Sequence, residues 1–78
     1  MTNLTDFTAD QLAFAIVAIG EQKEMAIHHL AKHEIIGTDP SHDSVKFWEK
    51  QADMAIQWEV QLRTALNIVT AREVITAN

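Results

Sequence analysis

The chain predicts an all-α fold, an antiparallel hairpin of two long helices that pairs with a second copy as a four-helix bundle. Three observations carry that expectation. Only two glycines and one proline occur in 78 residues, and Gly37 and Pro40 stand together in the stretch IIGTDPS. That cluster is the single strong breaker of the chain. On either side of it, apolar residues recur at alternating spacings of four and three, the period of a packed helix face. The two faces also carry opposite charges at matching positions.

The elements follow in order. Residues 1–7 are expected to form a flexible leader, and residues 8–78 a single helical-hairpin domain. Thr8 followed by Gln11 makes a capping box, in which each side chain satisfies an orphan backbone donor of the first turn. Phe7 and Leu12 are placed for a hydrophobic staple across that start. The first helix then spans about 8–36. Gly37 fits the position after its last turn, where a left-handed backbone is needed and a Cβ is costly. Asp39 fits a helix N-cap and Pro40 the first helical position, where a missing N–H is no loss. The second helix is expected over about 40–75, with the β-branched Val74, Ile75 and Thr76 fraying its end.

The first seam is Leu12, Ile16, Ile19, Lys23, Ala26, Leu30 and His33; the second is Trp48, Ala52, Ala55, Glu59, Leu62, Leu66 and Val69. Folding the chain at the breaker, with paired residue numbers summing to about 82, sets Leu30 against Ala52 and Ile16 against Leu66. The same register brings Lys23 opposite Glu59. The two are expected to form a register pair, an ionic counterpart of the polar core position that fixes coiled-coil alignment.

The seams leave many apolar residues over. A second stripe holds Phe47, Met54, Trp58, Ala65, Ile68 and Ile75 on the second helix, with Ala15, Ala18, Met25 and Ile36 on the first. Both lie on one side of the hairpin, together with His29. A two-helix hairpin has no third layer to cover that side, and an exposed aromatic and Met-rich patch marks an interface. The expected dimer interface is therefore Ala15, Ala18, Met25, His29, Phe47, Met54, Trp58, Ala65 and Ile68, with Trp58 as anchor.

Composition narrows the chemistry. With no cysteine, the chain has no disulfide, thiolate metal site or catalytic thiol. The same absence points to a reducing compartment, and the expected location is the cytoplasm, or the host cytoplasm for a viral chain. A net charge of −5 argues against broad phosphate-backbone binding, which needs clustered Lys and Arg. The opening MTNLTDFTAD lacks the basic flank of a secretory signal. The apolar run Leu12 to Ile19 falls far short of the roughly 20 residues of a membrane helix, so no membrane partner is expected.

All four histidines lie between His28 and His42. His29 and His33 have the i, i+4 spacing that can share a metal, with Glu49 and Asp53 across the turn. That spacing raises a His/carboxylate metal-binding bundle as an alternative. On a helical wheel, however, His33 falls on the seam, His29 on the dimer flank and Glu49 on the opposite flank. No metal is expected, and no motif asks for a cofactor. His29, His33, Lys32, Lys46 and Lys50 form instead a candidate ligand or pH-switch group at the turn end, since histidine titrates between about pH 5 and 8.

The chain is not expected to be an enzyme. It lacks tyrosine, cysteine, a glycine-rich loop and a nucleophile set beside a base, and a two-helix hairpin offers no enclosed cleft. His42 near Ser41 and Ser44 reads as helix-start chemistry. The architecture resembles that of the plasmid copy-control hairpin Rop, which dimerises as a four-helix bundle and binds RNA. That resemblance is one of shape and transfers no residue. It keeps a second reading open, in which the basic turn end binds structured RNA or a phosphate-bearing nucleotide. The leading expectation is a small helical protein that binds, and inhibits or modulates, a protein target. Compact acidic helical chains of this size are frequent among phage and mobile-element accessory proteins.

Overall fold

The computed structural model describes residues 3–77, with side chains through Ile75. A short 3-10 turn, Leu4–Asp6, is followed by helix α1, Ala9–Ile36, and helix α2, Asp43–Ala77. The helices lie antiparallel and pack along their length, and no strand occurs among the described residues. The Cα atoms fill a slab of 57 × 23 × 13 Å. It is two helices wide and one helix thick, so every core side chain has solvent close on both flanks.

The start of α1 is the one its sequence specifies. Thr8 Oγ1 accepts from the Gln11 backbone N–H at 3.1 Å, and Gln11 Oε1 accepts from the Thr8 N–H at 2.9 Å. Phe7 and Leu12 wall one common cavity, the placement a staple requires. At the other end Gly37 takes φ 75° and ψ 29°. Its N–H donates to the Glu34 carbonyl and the Thr38 N–H to the His33 carbonyl, at 3.3 and 3.0 Å. This pair of reversed bonds is the Schellman closure, available because glycine has no Cβ to clash in the left-handed region.

Helix α2 begins three residues later than its sequence suggests. Asp39 caps a turn and not the helix: its Oδ1 accepts from the Ser41 N–H at 2.8 Å and from the Ser41 hydroxyl at 2.7 Å. The Asp39 carbonyl then accepts from the His42 N–H at 2.9 Å, with Pro40 in the second position of this β-turn. Proline suits that position as well as it suits the first turn of a helix, which is why the two readings compete. The helix cap is His42. Its carbonyl accepts the Lys46 N–H at 3.1 Å, and its Nδ1 accepts the Ser44 N–H at 3.1 Å.

The seams are those the spacing predicts. Leu12, Ala26, Ala52, Ala55, Leu62 and Val69 are buried, and Ile16, Ile19, Leu30, His33, Trp48 and Leu66 are half-buried among them. The largest buried cluster sits at the open end, where Leu12, Leu62, Ala65 and Val69 meet. Ala65, expected on the outer stripe, is thus a core residue at 4 % exposure.

The N-terminal segment explains that shift, because its described part is folded against the hairpin. Asn3 Oδ1 accepts from the Thr5 N–H, and Asp6 Oδ2 accepts from the Asn3 N–H, so the 3-10 turn carries its own capping box. Leu4 packs against the core cluster, and Arg72 Nη1 donates to the Thr5 carbonyl at 3.3 Å. The turn therefore lies across α2 and roofs Ala65. Met1 and Thr2, the first two residues of the expected leader, lie outside the described residues.

Candidate functional site

Three features of the hairpin carry chemistry: an ion pair in the seam, an aromatic and histidine cluster at the turn end, and the outer apolar stripe.

Lys23 Nζ donates to Glu59 Oε2 at 2.9 Å, across the register expected from the two seams. Both groups are partly sheltered, with side-chain exposures of 30 % and 19 %. Arg63 Nε reaches the second carboxylate oxygen, Oε1, at 3.4 Å from one turn further along α2. Glu59 is thus held by two cations. Its pKa is lowered from the ordinary glutamate value, first by the hydrogen bond from Lys23 and then by the charges of Lys23 and Arg63, against the opposing effect of burial. The part played by Arg63 was readable in the Glu59-to-Arg63 spacing of four, a favourable helix pair.

The four histidines go separate ways. His29 lies flat on the Trp48 ring, with centroids 4.0 Å apart and planes 5° from parallel. Phe47 meets Trp48 edge-on at 5.0 Å, and His28 meets His29 edge-on at 6.3 Å. Such stacked and edge-to-face contacts are the preferred aromatic geometries. His33 Nδ1 and Thr38 Oγ1 share a hydrogen bond of 3.0 Å that ties the last turn of α1 to the loop. His42 is occupied as the cap of α2, so its Nδ1 faces a backbone amide and not a serine hydroxyl. The nearby Asp39 carboxyl is held below the ordinary aspartate value by its hydrogen bonds from Ser41, with a smaller contribution from the His42 charge. Among the described residues no three His, Asp or Glu side chains converge as a metal site would need. The side chains of Lys32, Lys46 and Lys50 are all exposed; Lys46 meets a histidine through its backbone, whose N–H donates to the His42 carbonyl.

The outer stripe divides into a covered and an open part. Ala65 is buried and Ala15 half-buried beneath the N-terminal turn. Ala18, Met25, Phe47, Met54, Trp58 and Ile68 are exposed, Phe47 at 52 % and Trp58 at 45 %. His29 is half-buried under Trp48. The N-terminal turn stands on this side as a ridge with a hollow on either side. One hollow, of about 320 Å³, is walled by Leu4, Phe7, Gln11, Leu12, Ala15 and Leu62. The other, of about 310 Å³, is walled by Leu4 and Thr5 of the turn and by Val60, Gln61, Thr64, Ala65 and Ile68 of α2, so it opens round the outer edge of α2.

The opposite flank is apolar too. Met25 and Met54 immediately precede the buried Ala26 and Ala55, while Ile27 and Ile56 immediately follow them. At about 100° per residue these pairs project to opposite sides of the seam. Ile27 and Ile56 are half exposed, with Val60 beside them at 61 %. This second apolar flank was not singled out from the sequence, although the residues after each seam position carried the signal.

Compared with protein-family models, curated proteins and solved structures, the chain matches none of them. No helix among the described residues is long and apolar enough to cross a membrane.

Proposed function

We propose that this chain is a non-enzymatic helical interaction protein that works as a homodimer and binds, and thereby modulates, a protein target. One observation carries the reading: the amount of surface the hairpin leaves in water. The chain exposes 5973 Å². A compact monomer of 8.8 kDa exposes about 4,800 Å² by the general scaling of folded surface with mass. The excess of about 1,200 Å² is more than the ~800 Å² each partner contributes to a standard protein interface. Large apolar side chains stand in the exposed surface, with Met25, Phe47, Met54 and Trp58 on one flank and Ile27, Ile56 and Val60 on the other.

Two apolar flanks allow a division of labour. The Met25–Trp58 stripe, aromatic and Met-rich, suits self-association. The Ile27–Ile56 flank then stays free for a target. Sedimentation velocity at micromolar concentration tests the first half, with a dimer expected and a monomer overturning it. Trp58→Glu is expected to give a helical monomer. For the second half, immobilised wild-type chain is expected to retain a specific protein from a bacterial lysate, and Ile27→Glu with Ile56→Glu to release it while remaining dimeric. Retention of RNA or nucleotide in its place would favour the phosphate-binding reading.

A further inference from the structure

The histidines of the turn end differ in what their neighbours allow each ring to do. His29 lies flat on Trp48 at 4.0 Å, where a charged ring is as acceptable as a neutral one, because a cation is drawn to an indole face. His28 meets the His29 ring edge-on at 6.3 Å. His33 Nδ1 meets the Thr38 hydroxyl at 3.0 Å, and a hydroxyl donates to a neutral ring or accepts from a charged one. His42 is different. Its Nδ1 faces the Ser44 backbone N–H at 3.1 Å, and a backbone amide nitrogen only donates. The bond therefore needs a lone pair on Nδ1, which fixes the neutral ring with its proton on Nε2. An imidazolium carries a proton on both nitrogens and offers that amide no acceptor.

We propose that His42 is a pH-sensitive cap: its neutral ring closes the first turn of α2, and protonation opens that turn. Imidazole titrates between about pH 5 and 8, which places the switch in that window. The bond belongs to the deprotonated ring, so its contribution is present above the window and is lost as pH falls through it. The helix acts in the same sense. The N-terminus of the 35-residue α2 carries partial positive charge, which disfavours a cation at the cap.

The surrounding charges are mixed. Asp39, whose carboxyl feels the His42 charge, and Asp43, the next residue, favour the imidazolium, while Lys46, one turn into α2, opposes it. The last turn of α1 brings His33 and Glu34 to the wall of the turn-end cavity, about 560 Å³, which Asp39 and Glu49 also line. Asp39 does not replace the lost acceptor, because its Oδ1 already accepts from the Ser41 N–H and hydroxyl. The opening is short in reach. Val45 is buried at 7 % exposure and anchors α2 one residue beyond Ser44, so Asp43 and Ser44 loosen while the seam stays closed.

His42→Asn tests the switch, since it supplies a side-chain oxygen that caps a helix and does not titrate. Full-length wild type and His42→Asn are unfolded in urea at one protein concentration, at pH 8 and at pH 5.5. Every other titrating group is common to both chains, so the ratio of their folding constants isolates residue 42. That ratio is expected to move toward His42→Asn by about three- to fivefold between pH 8 and pH 5.5, the effect of one lost cap. In the wild type the Ser44 amide proton resonance is expected to titrate together with the His42 ring. A ratio equal at the two pH values, or one that moves toward wild type on acidification, overturns the proposal. A Ser44 amide indifferent to the His42 titration overturns it as well.

Discussion

Gly20 and Gly37 would each receive a Cβ with nothing within 4 Å, yet the two should respond to it with opposite signs. Gly37 holds φ 75°, so an alanine there keeps the space and takes on the backbone strain. Gly37→Ala is expected to lower stability by about 1–2 kcal/mol. Gly20 sits inside α1, and Gly20→Ala should raise stability by about 0.5–1 kcal/mol through helix propensity. Chemical denaturation of both variants followed at 222 nm checks the pair of signs. Glu59 gives a pH prediction. Its folded pKa is depressed, so its contribution is fully present above the unfolded value of about 4.3 and is lost as pH falls through the folded value. Asp39, also depressed, adds in the same sense. Glu59→Gln is expected to be less stable than wild type at neutral pH, with the difference closing on acidification below that value. A difference independent of pH would show that the carboxylate charge contributes nothing.

The helix ends divide into those that sequence reveals and those that it does not. Thr8 with Gln11 and the glycine at 37 are legible because each cap is closed by residues within a few positions of one another. Thr8→Ala is expected to cost about 1 kcal/mol. The start of α2 is less legible, since Asp39-Pro40 can open a turn or a helix and histidine is not a habitual cap. His42→Ala should give a smaller loss than Thr8→Ala, in the same denaturation series. The docking of the 3-10 turn was not legible at all. Residues 3–7 have no periodicity, and their ties run to Ala65 and Arg72, far along the chain. Leu4→Asp should undock this turn at a cost of about 1 kcal/mol, roughly half the value of a fully buried leucine. The amide of Phe7, which donates to the Leu4 carbonyl, should then exchange markedly faster in hydrogen-exchange measurements.

The hairpin as a whole was readable because its two seams constrain each other: a slip of either helix by one turn would part Lys23 from Glu59 and break the apolar match at both ends. The outer surface was less readable. Ala65 belongs to the core only once the N-terminal turn covers it, and which flank meets which partner is not written in the chain's own contacts. The seam invites a test of what its ion pair does. Replacing a sheltered pair by apolar residues of similar size often leaves a protein as stable or more so, while removing one partner strands the other. Lys23→Met alone should therefore destabilise the hairpin, since it leaves Glu59 with only the longer contact to Arg63. Lys23→Met with Glu59→Leu should recover or exceed wild-type stability, because the seam becomes continuously apolar. It should also lose alignment, since a uniform apolar seam permits helix slips of one heptad at little cost. Amide NMR spectra of the double variant are expected to show more than one set of resonances or broadened lines at the centre of both helices. A single sharp set, with the wild-type contacts between Leu12 and Val69 retained, would mean that shape alone aligns the hairpin and that the Lys23–Glu59 pair has no part in fixing its register.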